Sequence, residues 1–191
     1  MAFLDESFET DDKDSFYVIA VAVVKSHHIV SSRLALREFY GGSALHAAPM
    51  FDKREISTLR QATHLVGKQN DGMDIVICAP IQSGTSRDEA RAKCLSYAVT
   101  KVHQDFGTKL FVLDKLGTPT EDKLDLYTFG DLKRGHLKAL SRDAVAVHCR
   151  PSEELLLGLP DIAAWAYRQK HTGRDRTWFE PLREFTEVTV L

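Results

Sequence analysis

Phe3-Leu4-Asp5-Glu6-Ser7 and, after a polar gap, Tyr17-Val18-Ile19-Ala20-Val21-Ala22-Val23-Val24 form the stretch on which the fold turns. Both apolar runs have strand length and composition. The first carries two carboxylates directly out of Phe3 and Leu4. An acid placed inside a sheet is costly unless its charge is paired or holds a metal. Side chains alternate across a strand, so Asp5 and Glu6 are expected on opposite faces. Asp5 is the better candidate for chemistry, although a strand-end acid facing water is an equally simple reading.

Outward from this start, residues 2–8 and 16–25 read as strands. They pair as a hairpin across an acidic loop, and Lys25-Ser26-His27-His28 turns the second. Residues 29–39 fit a strand or a helix. Gly41-Gly42 breaks the chain and residues 43–46 read as extended or irregular. Asp52 to about Val66 has helical spacing, with Ile56, Leu59, Thr63 and Val66 on one face. Residues 74–81 read as a buried strand. Ser86 to Phe106 reads as a helix with a capping box, Ser86 with Glu89, and Gly107 past its end. Residues 109–114 form a second buried strand ending in an acid. Then come a helix over 131–140, a strand over 144–149 and a helix from Leu159 to about Lys170 with Pro160 in its first turn. Residues 186–191 read as a final strand or a tail. A hairpin followed by alternating helices and strands implies an α/β layered fold with a mixed sheet.

The chain has 191 residues, enough for one substantial core, with 43% hydrophobic and 27% charged residues. No apolar run approaches the roughly 20 residues needed to span a bilayer, so no membrane span is expected. The acids Asp5, Glu6, Glu9, Asp11, Asp12 and Asp14 make the N-terminus unlike a secretory or transit peptide. Cys78, Cys94 and Cys149 are scattered and include no CxxC pair, which argues against a disulfide framework or structural zinc. A reducing, cytoplasmic setting is the expectation. The net charge of -2 does not announce nucleic acid. The segment from Arg168 to Arg176, however, is locally basic and leads to Trp178; it reads as a phosphate-binding patch or a solvated loop.

Three acids stand out: Asp5 on the first strand, Asp114 ending an internal strand, and Asp161 in the first turn of the late helix. Ligands collect outside the carboxyl ends of parallel strands. Carboxylates from separate elements make a hard oxygen site suited to Mg²⁺ or Mn²⁺. Such ions activate water and stabilise a leaving oxygen in phosphodiester cleavage. Asp161 equally fits a helix-dipole partner, and Asp114, before Lys115 and Gly117, a turn residue.

These segments resemble a known family. Phe3-Leu4-Asp5-Glu6-Ser7 with the Tyr17–Val24 strand, Leu45-His46-Ala47, Phe111-Val112-Leu113-Asp114 and Leu159-Pro160-Asp161-Ile162-Ala163-Ala164-Trp165-Ala166-Tyr167-Arg168 are similar, in order, to motifs of the domain of unknown function 3800 family. The likeness is strongest to an actinobacterial-type branch and spans about residues 3 to 186. It implies one ribonuclease H-like domain over residues 1–191, a three-layer α/β fold with a mixed five-stranded sheet and helices on both faces. It further implies Asp5, Asp114 and Asp161 as metal-binding acids, with Glu6 and His46 as catalytic neighbours. Gly158 and Pro160 depart from the family pattern, which often has Gln and Ala there. Asp114 replaces a frequent Glu.

His46 fits a proton shuttle, a metal neighbour or a structural histidine. His27 and His28 are assigned no role, and His148 reads as a core or sheet-face residue. Lys53, Arg54 and Arg60 read as a solvated helix face able to meet phosphates, and Trp165 as core. The expected function is a Mg²⁺- or Mn²⁺-dependent nuclease. Arg168, Lys170, Arg174 and Arg176 would hold the backbone of DNA or RNA. The alternative is a catalytically degenerate module that binds nucleic acid or a protein partner, or self-associates, in a mobile-element or defence system.

Overall fold

The computed structural model describes residues 1–9, 15–78, 85–115, 117–135 and 138–191. The acidic-loop residues Asp11, Asp12 and Asp14, positions 79–81 of the third expected strand, and positions 136–137 of the expected 131–140 helix lie outside the described residues.

One six-stranded sheet organises the chain. Its strands are β1 (Ala2–Glu9), β2 (Phe16–Val23), β3 (Gly72–Cys78), β4 (Leu110–Asp114), β5 (Val145–Cys149) and β6 (Thr186–Val190), in the order β5-β4-β1-β2-β3-β6. β2 runs against both neighbours, while β1–β4, β4–β5 and β3–β6 are parallel. β2 is therefore the one strand reversed relative to the other five. All eight of its residues are buried, because helices cover it on both faces.

Strand alternation divides the core in two. Phe3, Phe16, Val18, Ala20, Ala22 and Val112 face one helical layer: α1 (Ile29–Tyr40), α2 (Ala47–Asp52), α3 (Ile56–Gln69) and α6 (Gly158–His171). Ala2, Leu4, Tyr17, Ile19, Val21, Phe111 and Leu113 face the other: α4 (Arg87–Phe106) and α5 (Pro119–Arg134). The α/β class, the mixed sheet and its leading antiparallel hairpin are present.

Several elements differ from expectation. The ambiguous segment 29–39 is helix α1, with Ile29, Ser32 and Leu36 buried at helical spacing. The helix expected over 52–66 is α3, which starts at Ile56, and a separate short helix, α2, ends at Asp52 just before it. α2 ends in a Schellman pattern: Arg54 N–H bonds the Phe51 carbonyl and Glu55 N–H the Met50 carbonyl, with Arg54 left-handed at φ 62°. α5 begins well before residue 131. Thr118 caps it reciprocally with Glu121, and Pro119 occupies its first turn. The sheet has six strands rather than five, because the 186–191 segment pairs with β3. The Ser86–Glu89 capping box and the left-handed Gly107 stop of α4 are as read.

Candidate functional site

Asp5, Asp114 and Asp161 lie on the α6 side of the sheet. Asp5 follows Phe3 and Asp114 follows Val112 by two residues, so each shares that residue's face. The β1–β4 register pairs Leu4 with Leu113, and Asp5 and Asp114 are the residues that directly follow on each strand. α6 crosses above and presents Asp161 from its first turn. Asp5 is 7% exposed, and its Oδ1 accepts the Glu6 N–H at 2.7 Å. Oδ1 of Asp114 is buried and has no hydrogen-bond partner among the described residues.

The Asp161 carboxylate holds the segment before α2. Its Oδ2 accepts the Ala47 N–H at 2.6 Å, and His46 Nδ1 stands 4.0 Å from its Oδ1 with the imidazole 41% exposed. Gly158 makes this approach possible: a Cβ there would lie 2.8 Å from Leu45 Cβ.

The three carboxyls share one electrostatic environment. Burial, then the charges of Asp161, Glu6 and Asp114, raises Asp5 well above the ordinary range against the opposing Glu6 N–H. Burial and then Glu6 raise Asp114 to about 6, while the Lys115 N–H, His46 and Arg91 pull it down. Burial raises Asp161 to about 6 against the Ala47 N–H and His46, with Asp114 adding to the rise. Like charges gathered out of water hold on to protons unless a cation joins them.

Glu6 does not join this set. It lies on the opposite face, where Arg91 Nη1 donates to its Oε2 at 2.5 Å and Arg87 Nη2 stands 3.5 Å from its Oε1. Arg91 also donates to both carboxylate oxygens of Asp125 at 2.7 and 2.8 Å and to the Tyr17 hydroxyl at 2.7 Å. His148 Nε2 is 3.0 Å from Asp125 Oδ2. Burial would raise Asp125, but the bonds from Arg91 and His148 outweigh it and hold it below its ordinary value. Sequence reasoning missed this network, whose members are scattered through the chain.

The basic segment is largely engaged within the molecule. Arg168 Nη1 donates to the Phe8 carbonyl at 3.2 Å, and its charge lowers the pKa of Asp161. Lys170 lies over the Phe179 ring at 4.6 Å, Arg174 pairs with Glu9 at 3.1 Å, and Arg176 is exposed. Trp165 is core, 3% exposed. His27 and His28 lie in a short 3-10 turn.

Among the described residues, no three His, Cys, Asp or Glu side chains are grouped closely enough to hold a metal ion between them. No described helix is long and apolar enough to cross a membrane. Comparison with known proteins finds no match: no family model, no curated protein and no solved structure corresponds to this chain.

Proposed function

We propose that the chain is a divergent ribonuclease H-like member of the domain of unknown function 3800 family, which cleaves phosphodiester bonds of nucleic acid with Mg²⁺ or Mn²⁺. One observation carries this reading: Asp5, Asp114 and Asp161 come from three separate elements to one face, where each is pushed above the ordinary carboxylate range. The mixed sheet with helices on both faces supports it, and β6 is an addition to the implied five strands.

The donor chemistry fits a hard cation. The set offers carboxylate oxygens with one unpartnered buried atom, Asp114 Oδ1. Mg²⁺ seldom occupies an all-protein cage; it keeps waters and takes one or two carboxylates together with substrate phosphates. Such an ion, when bound, activates water and neutralises charge on the leaving oxygen. Asp5 and Asp114 would hold it from the strands, and Asp161 from α6. Asp161 is also held to Ala47, which fixes its position. On this reading His46, half open to solvent beside Asp161, would pass a proton between site and bulk water. Arg168 ties the end of β1 to α6 and adds positive charge beside Asp161.

A second reading has an observation of its own, the absence of a three-ligand group among the described residues. On that reading the domain is catalytically degenerate and binds nucleic acid or a protein partner.

Calorimetric titration with Mn²⁺ at pH 7.5, alongside cleavage assays on single- and double-stranded DNA and RNA, separates the two. The nuclease reading expects saturable Mn²⁺ binding and cleavage, both lost in Asp5→Asn while the fold persists. Equal cleavage by wild type and Asp5→Asn overturns it. Absence of both binding and cleavage leaves the degenerate module.

A further inference from the structure

α2 and α6 run side by side in matched register. Ala47 meets Asp161 through its N–H, and four residues on, the Phe51 ring meets the Trp165 ring with centroids 5.4 Å apart. Four residues advance a helix by about 6 Å. Phe51 therefore sits one turn along from the acid. Unlike Trp165 and Trp178, each 3% exposed, Phe51 leaves 40% of its surface in solvent. Trp165 and Trp178 pack against each other at 5.2 Å, and Phe51 meets Trp178 at 6.3 Å. An open ring is thus backed by two buried ones, and Arg60 covers Trp178 at 4.5 Å.

Cations follow at once. Lys53 and Arg54 are exposed and have no ion pair or side-chain hydrogen bond among the described residues. Arg54 is also left-handed, φ 62°, at a helix stop where glycine is the usual choice. An arginine at this position carries a conformational cost that its contacts within the fold do not explain. The carboxylates adjacent in sequence are Asp52 and Glu55, and Glu55 accepts the Tyr40 hydroxyl at 2.8 Å; Asp175, distant in sequence, is the acid whose pKa Arg60 lowers.

We propose that Phe51, with Lys53, Arg54 and Arg60, is a binding platform for single-stranded nucleic acid. An unpaired base stacks on the Phe51 ring and its flanking phosphates meet the cations. This rests on the nucleic-acid reading of the neighbouring acids but not on cleavage. A base in a continuous duplex has both faces covered by its neighbours, whereas aromatic platforms take splayed bases of any sequence. The platform therefore selects strandedness rather than sequence.

The two tryptophans of the chain, Trp165 and Trp178, both lie in this cluster, so intrinsic fluorescence reports on the site. Short oligodeoxythymidine and oligouridine are titrated in EDTA, which removes cleavage from the readout. Saturable fluorescence change is expected, with duplex of equal length binding at least tenfold more weakly. Phe51→Leu keeps an apolar contact with Trp165 and should weaken single-strand binding about tenfold, within the range of lost base stacking. An abasic oligonucleotide should lose a similar factor against wild type and nothing more against Phe51→Leu. Arg54→Gly should raise the melting temperature, by relief of the left-handed arginine, while lowering affinity.

Wild-type affinity in Phe51→Leu, equal binding of duplex, or no binding of either oligonucleotide overturns the platform. Metal-dependent cleavage with unchanged affinity in Phe51→Leu would remove the platform and leave the nuclease reading standing. Phe51-dependent binding without cleavage would do the reverse.

Discussion

Gly158 and Leu45 are in such close contact that a Cβ on the glycine would lie 2.8 Å from the leucine Cβ and 3.4 Å from the leucine carbonyl oxygen. Leu45 is 2% exposed and packed in the core on that side of the sheet. The contact sets the height at which His46 and Ala47 pass Asp161. In most helices Gly→Ala gains up to about 1 kcal/mol. Here the sign should reverse. Gly158→Ala is expected to cost about 1–3 kcal/mol by overpacking, a fall of several degrees in melting temperature. Thermal unfolding measures it, and an unchanged or higher melting temperature would show that the loop yields freely.

The raised acids make a pH prediction. Asp114 titrates near 6 in the folded chain against an ordinary value of 3.8. The folded state therefore binds more protons than the unfolded state between those values. The stability this proton contributes is fully present below 3.8 and is lost as pH rises through about 6. At 1.36 kcal/mol per unit, the loss at neutral pH is at most about 3 kcal/mol. Asp114→Asn, whose replaced Oδ1 has no partner among the described residues, should stabilise the protein at pH 7.5. The gain should vanish near pH 4. Melting curves of both proteins at the two pH values test this, and equal gains at both would remove the charge as the cause.

Arg91 carries the opposite kind of prediction. Its guanidinium serves Glu6, Tyr17 and both oxygens of Asp125, and Asp125 is only 1% exposed. Arg91→Met leaves buried Asp125 with His148 alone and Glu6 with the more distant Arg87, and should cost about 3–5 kcal/mol. Arg91→Lys should recover only part, since an ammonium cannot match the two-pronged contact with Asp125. In Arg91→Met/Asp125→Leu the loss should shrink well below the sum of the single changes. Urea unfolding of the four proteins gives the coupling, and additivity would mean that Arg91 and Asp125 act independently.

What was legible follows what is local. The apolar run into Asp5 and the period of two in β1 separated Asp5 from Glu6, and the structure sends them to opposite helical layers. The Ser86–Glu89 box marked α4 because a capping box is complete within four residues. Thr118 and Glu121 have the same pattern, yet the start of α5 escaped. Its pattern is blurred by exposed Leu124, Leu126 and Tyr127 and by buried Asp125. The break after α2 has no glycine to announce it, because Arg54 takes the left-handed position. Nothing local distinguishes Arg91 from any other charged helix residue. Its partners Asp125 and Glu6 are 34 and 85 residues away, and no spacing rule reaches that far. The acids were legible one at a time. Their convergence depends on strand order and on Gly158, which only the folded chain displays.

Arg168 tests whether the basic end of α6 serves the acids electrostatically. Its Nη1 donates to the Phe8 carbonyl, its Nε is buried without a partner among the described residues, and its charge acts against the rise in Asp161. Arg168→Gln can keep a donor near Phe8 while removing the charge. Asp161 should then hold its proton to higher pH, because less positive potential opposes burial. Cation binding requires the deprotonated acid. The pH at which Mn²⁺ affinity reaches half its plateau should therefore move upward in Arg168→Gln, while the plateau at high pH stays near that of wild type. Calorimetry between pH 5 and 9 reads both quantities. A lowered plateau with an unmoved midpoint would make Arg168 a structural tether of β1 and nothing more.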